Sequence, residues 1–525
     1  MLLSAPPTKT QRGEVTWLIG LCAVATAIRF VGLGSQSFWL DETFTWKITG
    51  GSVSHVFSGV RELESTPPLA YLLVWLSRQA LGSSEFALRF FPALAGTLTV
   101  PAVWLGGRRL FGPRAGLIAA ALTAVSPFMW WYSQEARAYS LAALMCAFVL
   151  AAFAYRMTGG GVLSLVAWGA ASVGALATQY SAVAVVLATL GALVVFDRDR
   201  WKQIAVAALA PLIACLALFN LATTQAGHGM TDWIAGIPFG ERAAQVLSQA
   251  WAGTSIGRFG VPLYICAGIG IALVGVLVVV GRKSADQPDR NLRRVGWTLL
   301  AAFAVLTAIL LLDGDRLLAR YYIVIWPLAV VAAAGVTATV RPRTGLVAVA
   351  IACGVMAGLV ARIEATPDLQ RLDWRPVAKA LGASPLHGRL VVLQKYPYWQ
   401  ALSPYLPGLV PFGYQSGQYP VSVEVVTIRA GESESCWWCS ARGADGMAPS
   451  TKSVGFFPFA STIGAGRFLI TSYRSSNPFL VERERIPITG QVVAASLTTT
   501  LGSGAVLYQP WPGDPYITAL LKQGK

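Results

Sequence analysis

Three short stretches of this chain gather acids, arginines and tyrosines that could do chemistry together. The first is Asp41-Glu42, in the run Ser35-Gln36-Ser37-Phe38-Trp39-Leu40-Asp41-Glu42. A carboxylate placed beside a hydroxyl can take its proton as a general base. The second is Tyr132-Ser133-Gln134-Glu135-Ala136-Arg137-Ala138-Tyr139, which supplies Glu135, Arg137 and Tyr139. The third is Arg320-Tyr321-Tyr322. Arginine meets a phosphate through a planar fork and stabilises charge developing on a departing phosphate. The aromatic rings around these charges can line a sugar or prenyl channel. The same residues also have plainer uses. An acid favours the start of an interfacial helix, arginines anchor lipid headgroups, and aromatic belts at membrane interfaces need no ligand. Glu135 could simply pair with Arg137.

The elements that must position these residues are membrane spans. Of the 525 residues, 55% are hydrophobic and 13% charged, whereas soluble chains carry about 25% charged residues. Windows of about 20 apolar residues predict eleven spans: 15–33, 86–106, 115–132, 138–155, 161–178, 180–196, 203–221, 259–281, 295–312, 321–340 and 344–362. The expected fold is a polytopic α-helical membrane domain over 1–362, followed by a C-terminal extracytoplasmic α/β domain over 363–525. The expected strands of that domain are Leu390–Gln394, Ser422–Ile428, Arg467–Ser472 and Ala505–Gln509, with a helix at Trp374–Leu381.

Orientation follows from the basic residues in short loops. With the N-terminus inside, the inner segments hold sixteen Lys or Arg against five acids. Most of the net charge of +16 is therefore a topology signal, and a nucleic-acid partner has almost no support. This arrangement puts the N-terminus in the cytoplasm and the tail outside. The long first loop, 34–85, then lies outside, with Asp41, Glu42 and an interfacial or re-entrant helix after Pro67-Pro68. The Glu135 and Arg320 stretches fall on the same face. In the tail, Cys436 and Cys439 flank two tryptophans, and an outer CxxC pattern reads first as a local disulfide, with an unpaired or redox role as the alternative.

Together these residues suit transfer from a lipid phosphate to a hydroxyl. Nucleotide sugars are not expected outside a cell, so an activated sugar would arrive on a polyprenyl phosphate. No glycine-rich phosphate loop followed by Lys and Ser or Thr occurs in the sequence. Gly159-Gly160-Gly161 reads as a hairpin linker.

The ordered set of motifs resembles the membrane glycosyltransferases of the GT-C superfamily, in the protein-mannosyltransferase and aminoarabinose-transferase group. The stretches that carry the resemblance are Asp41-Glu42, Pro67-Pro68-Leu69 with Tyr71, Arg89-Phe90-Phe91-Pro92-Ala93-Leu94-Ala95-Gly96, Gly106-Gly107-Arg108-Arg109-Leu110-Phe111-Gly112, Tyr132 to Tyr139, and Arg320-Tyr321. It covers roughly 15–345; in the tail only Asp373-Trp374-Arg375 is similar to the family. The resemblance implies inverting transfer from a polyprenyl-phosphate sugar, of mannose or arabinofuranose type, to a hydroxyl on an extracytoplasmic glycolipid, polysaccharide or protein. By resemblance Asp41 is the general base and Glu42 orients the site. Glu135 and Arg137 bind the donor sugar or its phosphate, Arg320 holds the leaving phosphate, and Tyr139 and Tyr321 belong to the substrate-binding set. Thr66, Gln179 and Tyr180 complete the substrate-binding set. Thr66 and Gln179 stand where relatives carry histidine, and a hydroxyl or an amide is a poor replacement for a metal-binding imidazole. No resident metal is therefore assigned, although a divalent ion stays open. The Ala-, Gly- and Val-rich spans suggest a high-GC bacterium and hence its cell membrane. A transporter or flippase for a lipid-linked glycan is the rival reading. Transporters favour midplane charges and repeated, interrupted helices, and the sequence shows neither.

Overall fold

The computed structural model describes residues 9–254, 264–268, 287–339, 342–383, 389–393, 399–406, 410–411, 421–430, 461–465, 468–480 and 505–509. They fall into two compact units. One comprises Met1–Ser35 with Phe44–Gln370, the other Gln36–Thr43 with Arg371–Lys525.

The first unit is helical. Its early elements are α1 (Lys9–Phe30), α2 (Leu40–Ile48, shared with the second unit at its first turn), α3 (Val53–Leu63), α4 (Leu69–Leu81), α5 (Glu85–Phe111) and α6 (Pro113–Val125). There follow α7 (Pro127–Ser133), α8 (Tyr139–Met157), α9 (Val162–Thr178), α10 (Val183–Phe196), α11 (Trp201–Ala226) and α12 (Phe239–Ala252). The unit closes with α13 (Gln287–Leu312), α14 (Trp326–Thr339) and α15 (Pro342–Ala365). Helices α5 and α8 form its centre and pack on each other, with α6 also against α5. Small residues let the backbones approach: a Cβ on Gly107 would sit 3.2 Å from the Ala115 carbonyl oxygen. Helix α11 instead turns Val206, Leu209, Ile213, Leu216 and Phe219 outward. A long helix exposing such a face is stable where lipid, not water, surrounds it.

Among the described residues, seven helices are long and apolar enough to cross a membrane, or eight if α6 and α7, bent by 56°, count as one span. The expected count of eleven is thus met in part among the described residues. Helix α9 has 17 residues, roughly 25 Å at 1.5 Å per residue, which is short of a hydrocarbon core of about 30 Å. The expected span 180–196 is likewise a short apolar helix, and 259–281 lies mostly outside the described residues. The long first loop, 34–85, folds as α2, α3 and α4; Pro68 is the residue that precedes the first turn of α4.

The second unit contains a six-stranded sheet among its described residues: β1 (Arg389–Leu393), β2 (Val410–Pro411), β3 (Val421–Ala430), β4 (Ser461–Ala465), β5 (Phe468–Leu480) and β6 (Ala505–Gln509). Their order is β2-β6-β1-β3-β5-β4, with β1 and β3 parallel and the other pairs antiparallel. Helices α16 (Arg375–Leu381) and α17 (Trp399–Leu402) supply Val377, Leu381, Ala401 and Leu402 to a core completed by Trp374, Val391 and Ile470. Cys436 and Cys439 lie outside the described residues. The five described cysteines (Cys22, Cys146, Cys215, Cys266 and Cys353) are free thiols on helical segments.

Candidate functional site

The acid pair opens α2. Asp41 and Glu42 both occupy its first turn, where the unpaired backbone N–H groups and the helix dipole favour negative charge. Their environments differ. Glu42 is fully buried, and its Oε2 accepts a hydrogen bond from the Trp39 N–H at 3.2 Å. A glutamate reaching back to the residue that caps its own helix is one half of a capping box. Asp41 is half-buried.

In the first unit, the Tyr132–Tyr139 motif follows the bend between α6 and α7. That bend is held by Arg29, which is completely buried and donates from Nη1 to Ala124 O at 2.8 Å and from Nη2 to Thr123 O at 2.9 Å. These are last-turn carbonyls of α6 that have no partner within their own helix. Ser126 then caps α7 by accepting from Met129 N, with Pro127 at the first helical position. Gly96 on α5 allows the close approach of α7: a Cβ there would overlap the Ser133 side chain. The motif ends with the Tyr132 and Tyr139 rings edge to face at 4.9 Å.

Arg137 is the pivot of the cluster. Its guanidinium forks onto the carboxylate of Glu64, Nη1 on Oε1 and Nη2 on Oε2, the latter at 2.9 Å. The same guanidinium lies 5.9 Å from the centre of the Tyr71 ring, a cation–π distance. Tyr71 shares a hydrogen bond of 3.0 Å with the Thr66 hydroxyl. From Thr66 the chain of polar contacts continues to α11, where Gln225 Nε2 donates to Thr66 O at 3.1 Å and to Val60 O at 2.8 Å. Gln225 Oε1 in turn accepts from the Tyr180 hydroxyl at 2.8 Å. Beside Tyr180, Gln179 Oε1 and Ser181 Oγ are buried without a hydrogen-bond partner.

Arg320 stands at the other end. It begins just inside the 3-10 segment Ala319–Ile325, which packs on α8 and touches Tyr180–Ala182. Its guanidinium lies 5.9 Å from the Tyr139 ring, 5.7 Å from Tyr321 and 5.6 Å from Trp233. The preceding loop is fixed by Arg242 of α12, which is buried and reaches Asp315 Oδ1 at 2.9 Å, Oδ2 at 2.6 Å and the Asp315 carbonyl at 2.8 Å. Asp315 is the one non-glycine with positive φ, +53°, among the described residues. The Arg242 donors hold its carboxyl below the usual carboxylate range.

The structure thus brings together Thr66, Arg137, Tyr139, Gln179, Tyr180, Arg320 and Tyr321, and Glu135 is buried in the same motif. Asp41 and Glu42 belong to the segment that groups with the tail. Sequence reasoning missed Glu64, Gln225 and Arg242. Glu64 lies 73 residues from Arg137, and its only cue was its place, after Glu62, just ahead of the proline pair. Among the described residues no group of three or more His, Cys, Asp or Glu could hold a metal ion. Glu64 is already forked by Arg137, and Thr66 is engaged by Tyr71, so this donor set does not fit a divalent cation.

Helices with lipid-facing surfaces, around a cluster of two arginines, tyrosines and amides, define a polytopic membrane protein. Residues 65–222 match the family model of dolichyl-phosphate-mannose-protein mannosyltransferases, which bears out the resemblance to this group over that segment. Among solved structures, the chain is similar to ArnT from Cupriavidus metallidurans in the apo state, at 16% identity and a TM-score of 0.40, over 88% of this chain and 98% of that one. It is also similar to the Archaeoglobus fulgidus oligosaccharyltransferase in the apo form, at 13% identity and a TM-score of 0.45, over 70% and 58%. A third similarity is to the S. cerevisiae protein O-mannosyltransferase Pmt1-Pmt2 complex bound to the sugar donor, at 18% identity and a TM-score of 0.32, over 48% and 37%. No curated protein matches the chain.

Proposed function

We propose that the chain is a membrane glycosyltransferase. It moves a sugar from a polyprenyl-phosphate donor to a hydroxyl of an extracytoplasmic glycolipid, polysaccharide or protein, in the cell membrane of a bacterium. The observation that carries this reading is the placement of buried Arg137 on the Tyr71 ring and of half-buried Arg320 on the ring of Tyr139, two residues beyond Arg137. The Arg320 guanidinium suits a phosphate, with Arg137 adding a second positive charge while its own fork holds Glu64, and flanking aromatics suit the faces of a sugar. The buried Gln179 and Ser181 oxygens suit hydroxyl donors, because leaving each unmatched costs about 1–3 kcal/mol. The family match over 65–222 supports the same chemistry.

In this mechanism the acceptor oxygen attacks the anomeric carbon while Asp41 takes the acceptor's proton. The bond from that carbon to the phosphate oxygen breaks with inversion, and the electron pair leaves on the polyprenyl phosphate. Arg320 and Arg137 stabilise the charge on the leaving group. Glu135 and Tyr139 bind the donor, Tyr321 holds its phosphate with Arg320, and Thr66, Gln179 and Tyr180 hold its hydroxyls. The test is to supply the purified protein in nanodiscs with polyprenyl-phosphate mannose or arabinofuranose and a panel of acceptors. Mass spectrometry should find a glycosylated acceptor and free polyprenyl phosphate in equal amounts. Movement of the intact lipid across a bilayer without cleavage would overturn the reading.

A further inference from the structure

The second unit contains a contact set that its sheet does not require. The extended link Gln36–Trp39, just before the acid pair, is stitched to residues more than 330 positions later in the chain. Ser37 is fully buried. Its Oγ donates to Leu372 O at 3.2 Å and accepts from Trp374 N at 3.0 Å. Gln36 Oε1 accepts from Arg371 N at 3.3 Å. The Phe38 N–H donates to the Tyr405 hydroxyl at 2.7 Å, and the two rings stack at 6.3 Å with 28° between their planes. The Arg371 guanidinium lies 5.8 Å from the Trp39 ring.

Each residue from Gln36 to Trp39 is therefore held by the tail, and α2 begins at the next residue. The link ends on the same Trp39 N–H that Glu42 accepts. Asp41 sits two positions beyond that anchor, so the register of the link sets where its carboxylate stands. A general base must be held to a fraction of an ångström, and a displacement of about 1 Å costs on the order of 100-fold in rate.

We propose that the C-terminal unit acts as the holder of the acid-bearing turn, with Ser37 and Tyr405 as positioning residues for Asp41. This rests on the reading of Asp41 as the general base. It assigns the tail a role in aiming a catalytic group.

The experiment uses the full chain in nanodiscs, with Ser37→Ala, Tyr405→Phe and the conservative Ser37→Thr. Both disruptive variants should lower kcat by about 10- to 100-fold and leave the donor KM unchanged, while Ser37→Thr stays near the parent. Amide exchange at Trp374 should quicken in Ser37→Ala, and at Phe38 in Tyr405→Phe. If one variant fails to fold, the other gives the same readout. Unchanged kcat with faster exchange would overturn the positioning role, as would kcat and donor affinity falling together with thermal stability. Unchanged exchange would overturn the strap itself. A parent protein that transfers no sugar would sink the reading of Asp41 and the catalytic half of the proposal, whatever the exchange result.

Discussion

The Arg137–Glu64 pair gives the most exposed prediction, because stability and ligand binding should respond in different ways. The two side chains are 8% and 3% exposed, so each charge has the other as its main replacement for water. Removing one partner of such a pair leaves a buried charge uncompensated and costs about 3–5 kcal/mol. Replacing both with apolar groups of similar size is close to neutral. Glu64→Met and Arg137→Met should therefore each lower the thermal midpoint, measured by size exclusion after heating in detergent. The double variant should recover most of the loss. Binding of polyprenyl phosphate separates the two residues. A hydrogen bond to a charged group contributes about 1.5–3 kcal/mol, so Arg137→Ala should weaken binding by about 10- to 150-fold at 1.4 kcal/mol per decade. Glu64→Gln removes the carboxylate that competes for the same guanidinium and should bind the lipid phosphate at least as tightly as the parent. Additive losses in stability would refute the pairing argument. Equal weakening of lipid-phosphate binding by both variants would refute the phosphate role of Arg137.

Asp41→Asn should reduce sugar transfer by about 10²- to 10⁴-fold with folding and membrane insertion intact, and near-normal turnover would remove Asp41 from the mechanism. Arg320→Ala should raise the KM for the lipid-linked donor far more than that for the acceptor; equal effects would sink its phosphate role. Gly96→Ala should lower the thermal midpoint, because the added Cβ meets Ser133 and overpacking a tight contact costs about 1–3 kcal/mol. Asp315 has its carboxyl depressed by Arg242. Its contribution to stability is thus complete above the ordinary carboxylate value, about 3.9, and is lost as the pH falls through the lower folded value. Asp315→Asn should flatten that acid limb in a pH-dependent melting series, and an unchanged limb would show that other groups set it.

What the sequence makes legible is composition and local pattern. The apolar runs of α5, α8 and α11 stand out because lipid and a packed bundle both select the same residues. Local motifs are readable too: Ser126-Pro127 marks a helix start by its cap and its first-turn proline. The span count is less legible, because an apolar run does not announce its helical length; α9 is apolar throughout yet has only 17 residues. Long-range pairing is the other blind spot. Nothing near Arg137 in the sequence points to Glu64, and nothing near Ser37 points to Leu372 or Trp374, because contacts across 73 or 335 residues leave no local trace. The proximity of Glu135 and Arg137 in sequence invited a pairing between them. Folding also gives Arg137 a distant partner, Glu64, which no local spacing announces.

The adjacent acids illustrate how an environment divides labour between residues of the same chemistry. In sequence Asp41 and Glu42 are interchangeable candidates, and only resemblance favours the first as base. Glu42 is buried, and its carboxylate is used in capping α2 through the Trp39 N–H. That oxygen is committed to an otherwise unpaired N–H at the helix start. Asp41, one residue earlier in the same turn and half-buried, does not carry that Trp39 cap. The two substitutions should consequently differ in kind. Glu42→Gln keeps an oxygen acceptor for the Trp39 N–H and should act mainly through a weaker cap, a loss on the order of 1 kcal/mol. Asp41→Asn should leave stability near that of the parent and remove turnover. A Glu42→Gln variant that is fully stable but inactive would reverse the assignment and make Glu42 the proton acceptor.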